Sequence, residues 1–170
     1  HAQIAGDRQI ARMKDLRLGA LIQPCFAPSD REMAIARLGD DWAGRSYRWK
    51  TLMKKGIALA AGSDAPVESL RPLYGVHAAV TRQNQADEPE NGWTPEERLS
   101  VAEALSLYTW GNAWHGGNER RRGEISPGQD ADLVVLEQDP FLVRAPDIWK
   151  IGVAMTLCGG RTTHRADDLI

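Results

Sequence analysis

The sequence predicts an α/β fold with a parallel sheet, followed by a smaller region of antiparallel strands. Helical and strand patterns alternate through the first third of the chain, which is typical of βα units. The run of small apolar residues at 57–61 suits a strand that is buried on both faces. Beyond Gly117 the pattern changes to short strands separated by turns.

The first predicted helix covers residues 8–16, where apolar side chains recur on one face and Asp7 is a suitable N-cap. Residues 18–23 predict a strand that Pro24 ends. A loop at 25–28 and a short helix from Ser29 or Asp30 to residue 38 follow. Glycine and aspartate then predict a break at residues 39–44.

A second clear helix is predicted at residues 47–55, with Ser46 as its cap and lysines near its negative end. The strand at 57–61 follows directly. Pro72 suits the first turn of the next helix, which is predicted over residues 72–83.

Two stretches match the capping box, in which side chains satisfy the amides at a helix start. They lie at residues 94–97 and 100–103. The second predicts a helix that ends among the glycines between Gly111 and Gly117.

The last part of the chain predicts strands at residues 132–137, 151–158 and 161–164. Gly159-Gly160 separates the last two and is typical of a two-residue hairpin turn. We therefore divide the chain into an α/β part at residues 1–117 and a β part at 118–170.

Length and composition limit the size of the fold and the classes of partner that the chain could bind. The 170 residues are enough for one sizeable core but fewer than the roughly 250 of a closed (β/α)8 barrel. The first residue is not Met, which suggests that the chain is a piece of a longer protein.

A net charge of −2 favours neither nucleic acid nor an anionic membrane as a partner, and no apolar run approaches the ~20 residues of a membrane span. Two distant cysteines fit a cytoplasmic protein.

Asp64 and His1 are the candidate functional residues. Asp64 follows the buried strand, where α/β enzymes keep their chemistry, and an unpaired carboxylate there would be costly to desolvate. A role in metal binding or proton transfer would explain a carboxylate at this position. The alternative is that Asp64 caps a turn and forms a salt bridge. In a parallel barrel His1 would face the same end, although it is equally explained as a surface residue or part of a purification tag.

The other reactive residues have weaker claims. His77 is expected to be a half-buried structural residue, His115 a helix-end residue and His164 a solvated one. Cys25 follows a strand and could reach a pocket, but a free cysteine is usually packed. No nucleophile elbow, phosphate-binding loop or His-Glu-x-x-His motif occurs.

Several motifs together resemble the amidohydrolase superfamily, in particular the amidohydrolase-3 or YtcJ-like metal-dependent hydrolases. The resemblance covers nearly the whole chain and rests on the order and spacing of these pieces: HAQ at residues 1–3, LGALIQP at 18–24, LAAGSDAPV at 59–67, PLYGVHAAVTR at 72–82, LSVAEALSLYT at 99–109, ISPGQDADLVVLEQDP at 125–140 and GGR at 159–161.

The resemblance implies the C-terminal part of a (β/α)8 TIM barrel, about strands six to eight, with antiparallel strands of an accessory β-sandwich. His1 would be the metal-binding histidine after strand six. Asp64 would be the aspartate after strand eight, which contacts the metal or its hydroxide and acts as general base. The metal would be a divalent ion such as Zn²⁺, and the family's His-x-His pair would lie before His1.

The resulting function is metal-dependent hydrolysis of a carbon–nitrogen bond of the amide type, other than a peptide bond, in a small molecule. The parent would be the enzyme, whereas this chain alone would be inactive and hold little metal. The alternative is a non-catalytic regulatory or interaction module with the same fold. Open sheet edges would favour a homo-oligomer in either case.

Overall fold

Two short parallel strands lie at the centre of the α/β part, in a computed structural model that describes residues 1–167. β1 (Ala20–Ile22) pairs with β2 (Leu59–Ala61), with Ala20 opposite Leu59 and Ile22 opposite Ala61. All three residues of β2 are buried, as the small apolar run predicts. The predicted parallel pairing is confirmed, although both strands are shorter than expected.

Six α-helices surround or follow this pair in the described part of the chain. They are α1 (Asp7–Asp15), α2 (Phe26–Ala43), α3 (Trp49–Lys54), α4 (Pro72–Thr81), α5 (Val101–Tyr108) and α6 (Trp110–His115). Short 3-10 helices lie at Pro95–Glu97 and Ala145–Lys150.

The core forms between the strands and the inner faces of these helices. Trp49, Leu52, Leu107 and Ile148 are almost completely buried within it. Ile148 comes from the 3-10 helix Ala145–Lys150, which packs against α4. The β part of the chain therefore contributes to the same core as the helices.

The start of α2 differs from the prediction. Residues 26–28 were expected to form a loop, but α2 begins at Phe26. Pro28 is the third residue of this helix, where its missing N–H would have no intrahelical partner, so it does not break the helix. The predicted break near Gly39 is present as a kink, because Gly39 has a φ of +73° and a ψ of 163°.

Three predicted helix caps were wrong. α1 begins at Asp7 itself, after Gly6. Ser46 does not cap α3, because its hydroxyl donates to the carbonyl of Trp42 at 3.0 Å. Thr94 adopts a φ of +52°, and its hydroxyl donates to the carbonyl of Trp93 at 2.7 Å.

The capping box at the start of α5 is confirmed. Ser100 Oγ accepts from the Glu103 amide at 3.2 Å, and Glu103 Oε2 accepts from the Ser100 amide at 2.7 Å. The predicted continuous helix is interrupted at Thr109, whose φ of −115° and ψ of −94° separate α5 from α6.

The C-terminal strands form one antiparallel sheet in the order β3, β4, β5. They are β3 (Leu133–Leu136), β4 (Val153–Cys158) and β5 (Arg161–Arg165). Gly159 and Gly160 connect β4 to β5 with φ values of +55° and +76°, which glycine adopts without strain. The predicted antiparallel strands and hairpin are confirmed, and the division of the chain at residue 117 stays a prediction.

Within residues 1–167, no helix is both long enough and apolar enough to cross a bilayer.

Candidate metal-binding site

The loop that carries His1 is fixed by contacts of Gln3. The carbonyl of Gln3 accepts from the Tyr47 amide at 2.6 Å, and its side-chain amide donates to Asp30 Oδ2 at 3.3 Å. The Tyr47 hydroxyl donates to the same Asp30 oxygen at 2.8 Å. These bonds tie the start of the chain to α2 and to the segment before α3.

Asp64 lies three residues beyond the end of β2. Its φ is +55°, in the left-handed region that aspartate tolerates better than most residues. Its carbonyl accepts from the Val67 amide at 2.9 Å, which closes a turn. The strand and the turn together hold the carboxylate at the carboxyl edge of the parallel pair.

The structure brings His1 and Asp64 together. His1 Nε2 lies 3.9 Å from Asp64 Oδ2, and the two side chains are 53% and 46% exposed. This distance is too long for a direct hydrogen bond, which needs about 2.7–3.2 Å. Two ligands of a tetrahedral zinc ion, each ~2.0–2.2 Å from it, lie ~3.3–3.6 Å apart, so a small shift of either side chain would let both atoms contact one ion.

Imidazole nitrogen and carboxylate oxygen are both ordinary zinc ligands, so the chemistry of the pair fits a zinc-type ion. A catalytic zinc usually has three protein ligands. No group of three or more histidine, cysteine, aspartate or glutamate residues that could hold a metal occurs among residues 1–167. The pair alone is therefore too small a ligand set for a catalytic zinc, and a complete site would need further ligands.

Two contacts of the His1 ring were not predicted from the sequence. His1 Nδ1 lies 2.6 Å from Gln23 Oε1, and the ring lies 5.8 Å from the Phe26 ring, centroid to centroid. Gln23 comes directly after β1, just as Asp64 follows β2. The position of Gln23 directly after a strand is the sequence feature that could have identified it as a candidate site residue.

The remaining histidines lie outside this pair. His77 is completely buried, and its ring contacts the carbonyls of Asn84 at 3.0 Å and Ala145 at 3.3 Å. It is structural as predicted, but more deeply buried. His115 Nδ1 lies 2.9 Å from the Gly111 carbonyl at the end of α6, and His164 is exposed on β5.

A cavity of about 180 Å³ lies beside the segment that connects β2 to Asp64. Its lining includes Gly62 and Ser63, which precede Asp64, together with Cys25 and Tyr108. Burial, with a smaller contribution from the Glu68 charge, raises the pKa of the Cys25 thiol to about 12. Burial therefore favours the neutral thiol over the nucleophilic thiolate.

These observations define an α/β protein with a histidine and a carboxylate close together at the carboxyl edge of parallel strands. The chain belongs to the amidohydrolase family, whose sequence profile matches residues 1–164. The family resemblance inferred from the motifs is thereby confirmed.

Individual relatives agree with this assignment. The putative amidohydrolase YtcJ of Bacillus subtilis (strain 168) is 37% identical over 164 residues, which are 96% of this chain and 31% of YtcJ. The N-substituted formamide deformylase of Arthrobacter pascens is 26% identical over 166 residues, covering 94% of this chain and 29% of that enzyme. The chain thus spans about a third of the length of these relatives.

A solved structure of an uncharacterized metal-dependent hydrolase from Pyrococcus horikoshii OT3 has the same fold over most of this chain. It superposes with a TM-score of 0.74 at 32% identity and covers 85% of this chain and 29% of that one. The chain therefore has part of an amidohydrolase α/β fold.

Proposed function

We propose that the whole protein is a metal-dependent hydrolase that cleaves a carbon–nitrogen bond of the amide type, other than a peptide bond, in a small molecule. The observation that carries this proposal is the approach of His1 Nε2 to Asp64 Oδ2 within 3.9 Å, in a chain of the amidohydrolase family. Both residues lie at the edge where parallel α/β enzymes assemble their active sites.

In this proposal β1 and β2 are the seventh and eighth strands of a (β/α)8 barrel, and β3, β4 and β5 belong to its accessory β-sandwich. His1 would follow the sixth strand. The short parallel pair supports this assignment, because its two outer edges have no strand partner within residues 1–167. The other strands and the missing metal ligands would come from the rest of the whole protein.

His1 Nε2 and Asp64 Oδ2 would hold a divalent ion, with Zn²⁺ as the first candidate. Such an ion lowers the pKa of water toward neutrality and polarises a scissile carbonyl. Asp64 would also act as general base: it accepts a proton from the attacking water and passes it to the nitrogen of the departing amine. The amide is thus divided into a carboxylic acid and an amine, with one water consumed.

Substituted formamides are a reasonable first set of substrates, because a relative that is 26% identical is an N-substituted formamide deformylase. The cavity of about 180 Å³ beside Gly62 and Ser63 would take one substituent of such a molecule.

The proposal is tested with the whole protein and its Asp64→Asn and His1→Ala variants. We expect the wild type to bind a divalent metal and hydrolyse a member of an amide library. Asp64→Asn should lose at least ~10²-fold in kcat, which is typical of removing a general base. His1→Ala should lose metal as well as activity. Wild-type activity in Asp64→Asn would contradict the assigned role of this residue.

We also propose that the 170-residue chain alone is inactive and self-associates. It offers two ligands where a catalytic zinc usually needs three. Leu18 and Leu21, near and on β1, are 49% and 55% exposed beside an outer strand edge that could pair with a second copy. Light scattering that gave a monomer mass at micromolar concentration would argue against self-association.

A further inference from the structure

We propose that Gln23 is a positioning residue, whose side chain fixes the tautomer and orientation of His1 so that Nε2 is available to the metal. The inference rests on the proposed metal-binding role of His1. It starts from the 2.6 Å contact between His1 Nδ1 and Gln23 Oε1.

The contact determines which ring nitrogen carries the proton. Gln23 Oε1 is a carbonyl oxygen, which accepts hydrogen bonds and cannot donate them. His1 Nδ1 must therefore donate, and in the neutral imidazole the lone pair then lies on Nε2. This is the atom that lies 3.9 Å from Asp64 Oδ2.

Gln23 is itself held in place. Its main chain directly follows β1, whose last carbonyl, that of Ile22, accepts from the Gly62 amide at 3.0 Å. The Gln23 carbonyl accepts from the Phe26 amide, also at 3.0 Å, which closes a turn around the buried Pro24. The acceptor is therefore fixed to the same strand pair that carries Asp64.

The His1 ring also lies near the Phe26 ring, at 5.8 Å between centroids and an interplanar angle of 34°. Phe26 is 8% exposed and packs in the core. His1 itself is more than half exposed, so burial alone does not hold its ring. The hydrogen bond to Gln23 supplies the directional restraint.

Histidines that bind metals commonly donate their second N–H to an oxygen acceptor, and removing that acceptor costs about 10–100-fold in metal affinity. Gln23→Met keeps the length of the side chain and removes the acceptor. Gln23→Glu keeps an acceptor at the same distance along the side chain. Gln9→Met is the matched control, because Gln9 is an exposed glutamine on α1.

The experiment measures the zinc dissociation constant of the whole protein by competition with a chromophoric chelator, and the visible absorption spectrum after Co²⁺ replaces zinc. We expect Gln23→Met to raise the dissociation constant 10–100-fold and alter the Co²⁺ bands. Gln23→Glu and Gln9→Met should stay within about threefold of the wild type. His1→Ala is measured beside them, and thermal unfolding of the metal-free proteins checks that all four variants fold.

The outcomes separate the two proposals. A wild-type protein without zinc affinity, or a His1→Ala variant with full affinity, would overturn the proposed function and this inference with it. Normal zinc affinity and Co²⁺ bands in Gln23→Met, beside a His1→Ala variant that has lost zinc, would overturn the role of Gln23 alone. Equal losses in Gln23→Met and Gln23→Glu would also overturn it, because the acceptor would then be irrelevant.

Discussion

The position of the Asp64 carboxylate depends on a backbone conformation that few residues adopt. Its φ of +55° turns the chain immediately after the buried strand, and the Asp64 carbonyl closes the turn with the Val67 amide. Aspartate, asparagine and glycine tolerate this region, whereas β-branched residues do not. Asp64→Asn is therefore a suitable functional test, since it removes the charge and leaves the backbone preference unchanged.

The sequence predicted His1 and Asp64 as a pair but did not predict Gln23. Asp64 could be identified from the sequence because a carboxylate directly after a run of small apolar residues is unusual. Gln23 is an ordinary polar residue at a strand end, and its importance depends on how the His1 ring is turned. That orientation follows from tertiary contacts such as the one with Phe26, which local sequence does not encode.

Glu103 links the cap of α5 to α3. Its carboxylate accepts from Lys50 Nζ at 2.5 and 2.6 Å and from the Ser100 amide at 2.7 Å. Burial by itself raises the pKa of Glu103, but the hydrogen bonds from Lys50 and Ser100 outweigh it, so the pKa lies below its usual value. The ionised form therefore stabilises the fold.

We predict a pH-dependent effect for Glu103→Gln. Because the folded-state pKa is lowered, the stabilisation is complete above the unfolded pKa of about 4.3 and is lost as the pH falls through the folded value. The variant should be less stable than the wild type by ~1 kcal/mol at pH 7, and the difference should shrink below about pH 4. Urea unfolding at several pH values measures it, with the exposed Glu90→Gln as control. A difference that grows on acidification would contradict this account.

At the scale of elements, helix α6 packs directly against the backbone of β2. A Cβ at Gly111 would collide with the carbonyl oxygen of Leu59 and lie 3.3 Å from the Cα of Ala60. Asn112, the next residue, donates to the carbonyl of Ala61 at 3.1 Å. The close approach of α6 thus supports the strand that leads to Asp64.

Gly111→Ala should therefore destabilise the protein by about 1–3 kcal/mol, as overpacking of a core does. Because β2 would shift, metal affinity should also fall. Gly62→Ala is the control at the end of the same strand, since a Cβ there would meet no atom within 4 Å. The thermal midpoint and zinc dissociation constant measure both effects. If both variants behaved alike, close packing of α6 on β2 would not be the cause.

Local sequence predicted the type of most elements better than their ends. The capping-box pattern occurs at both Ser100 and Thr94, yet only the Ser100 side chain forms the capping hydrogen bond. Thr94 Oγ1 instead accepts from the buried Arg82 guanidinium, at 2.5 Å. Arg82 also donates to the carbonyls of Trp93 and Tyr47 and lies over the Trp49 ring. The Thr94 hydroxyl is therefore engaged by Arg82, a residue outside the local capping pattern, and does not act as a helix cap.

At the scale of the whole molecule, the chain holds two proposed metal ligands on an α/β unit whose sheet has only two strands within residues 1–167. Leu16, Leu18 and Leu21 are about half exposed beside this sheet. Relatives about three times as long have the additional sequence that could cover such a face and complete such a site. The order and spacing of the motifs predicted the family, whereas no motif of this sequence specified a substrate.

The most direct test of the account is a crystal structure of the whole protein grown with Zn²⁺, with anomalous scattering recorded on both sides of the zinc absorption edge. The account predicts a zinc peak within about 2.0–2.2 Å of both His1 Nε2 and an Asp64 carboxylate oxygen. A direct hydrogen bond between these side chains with no zinc peak beside them, or a zinc ion bound away from both, would contradict it.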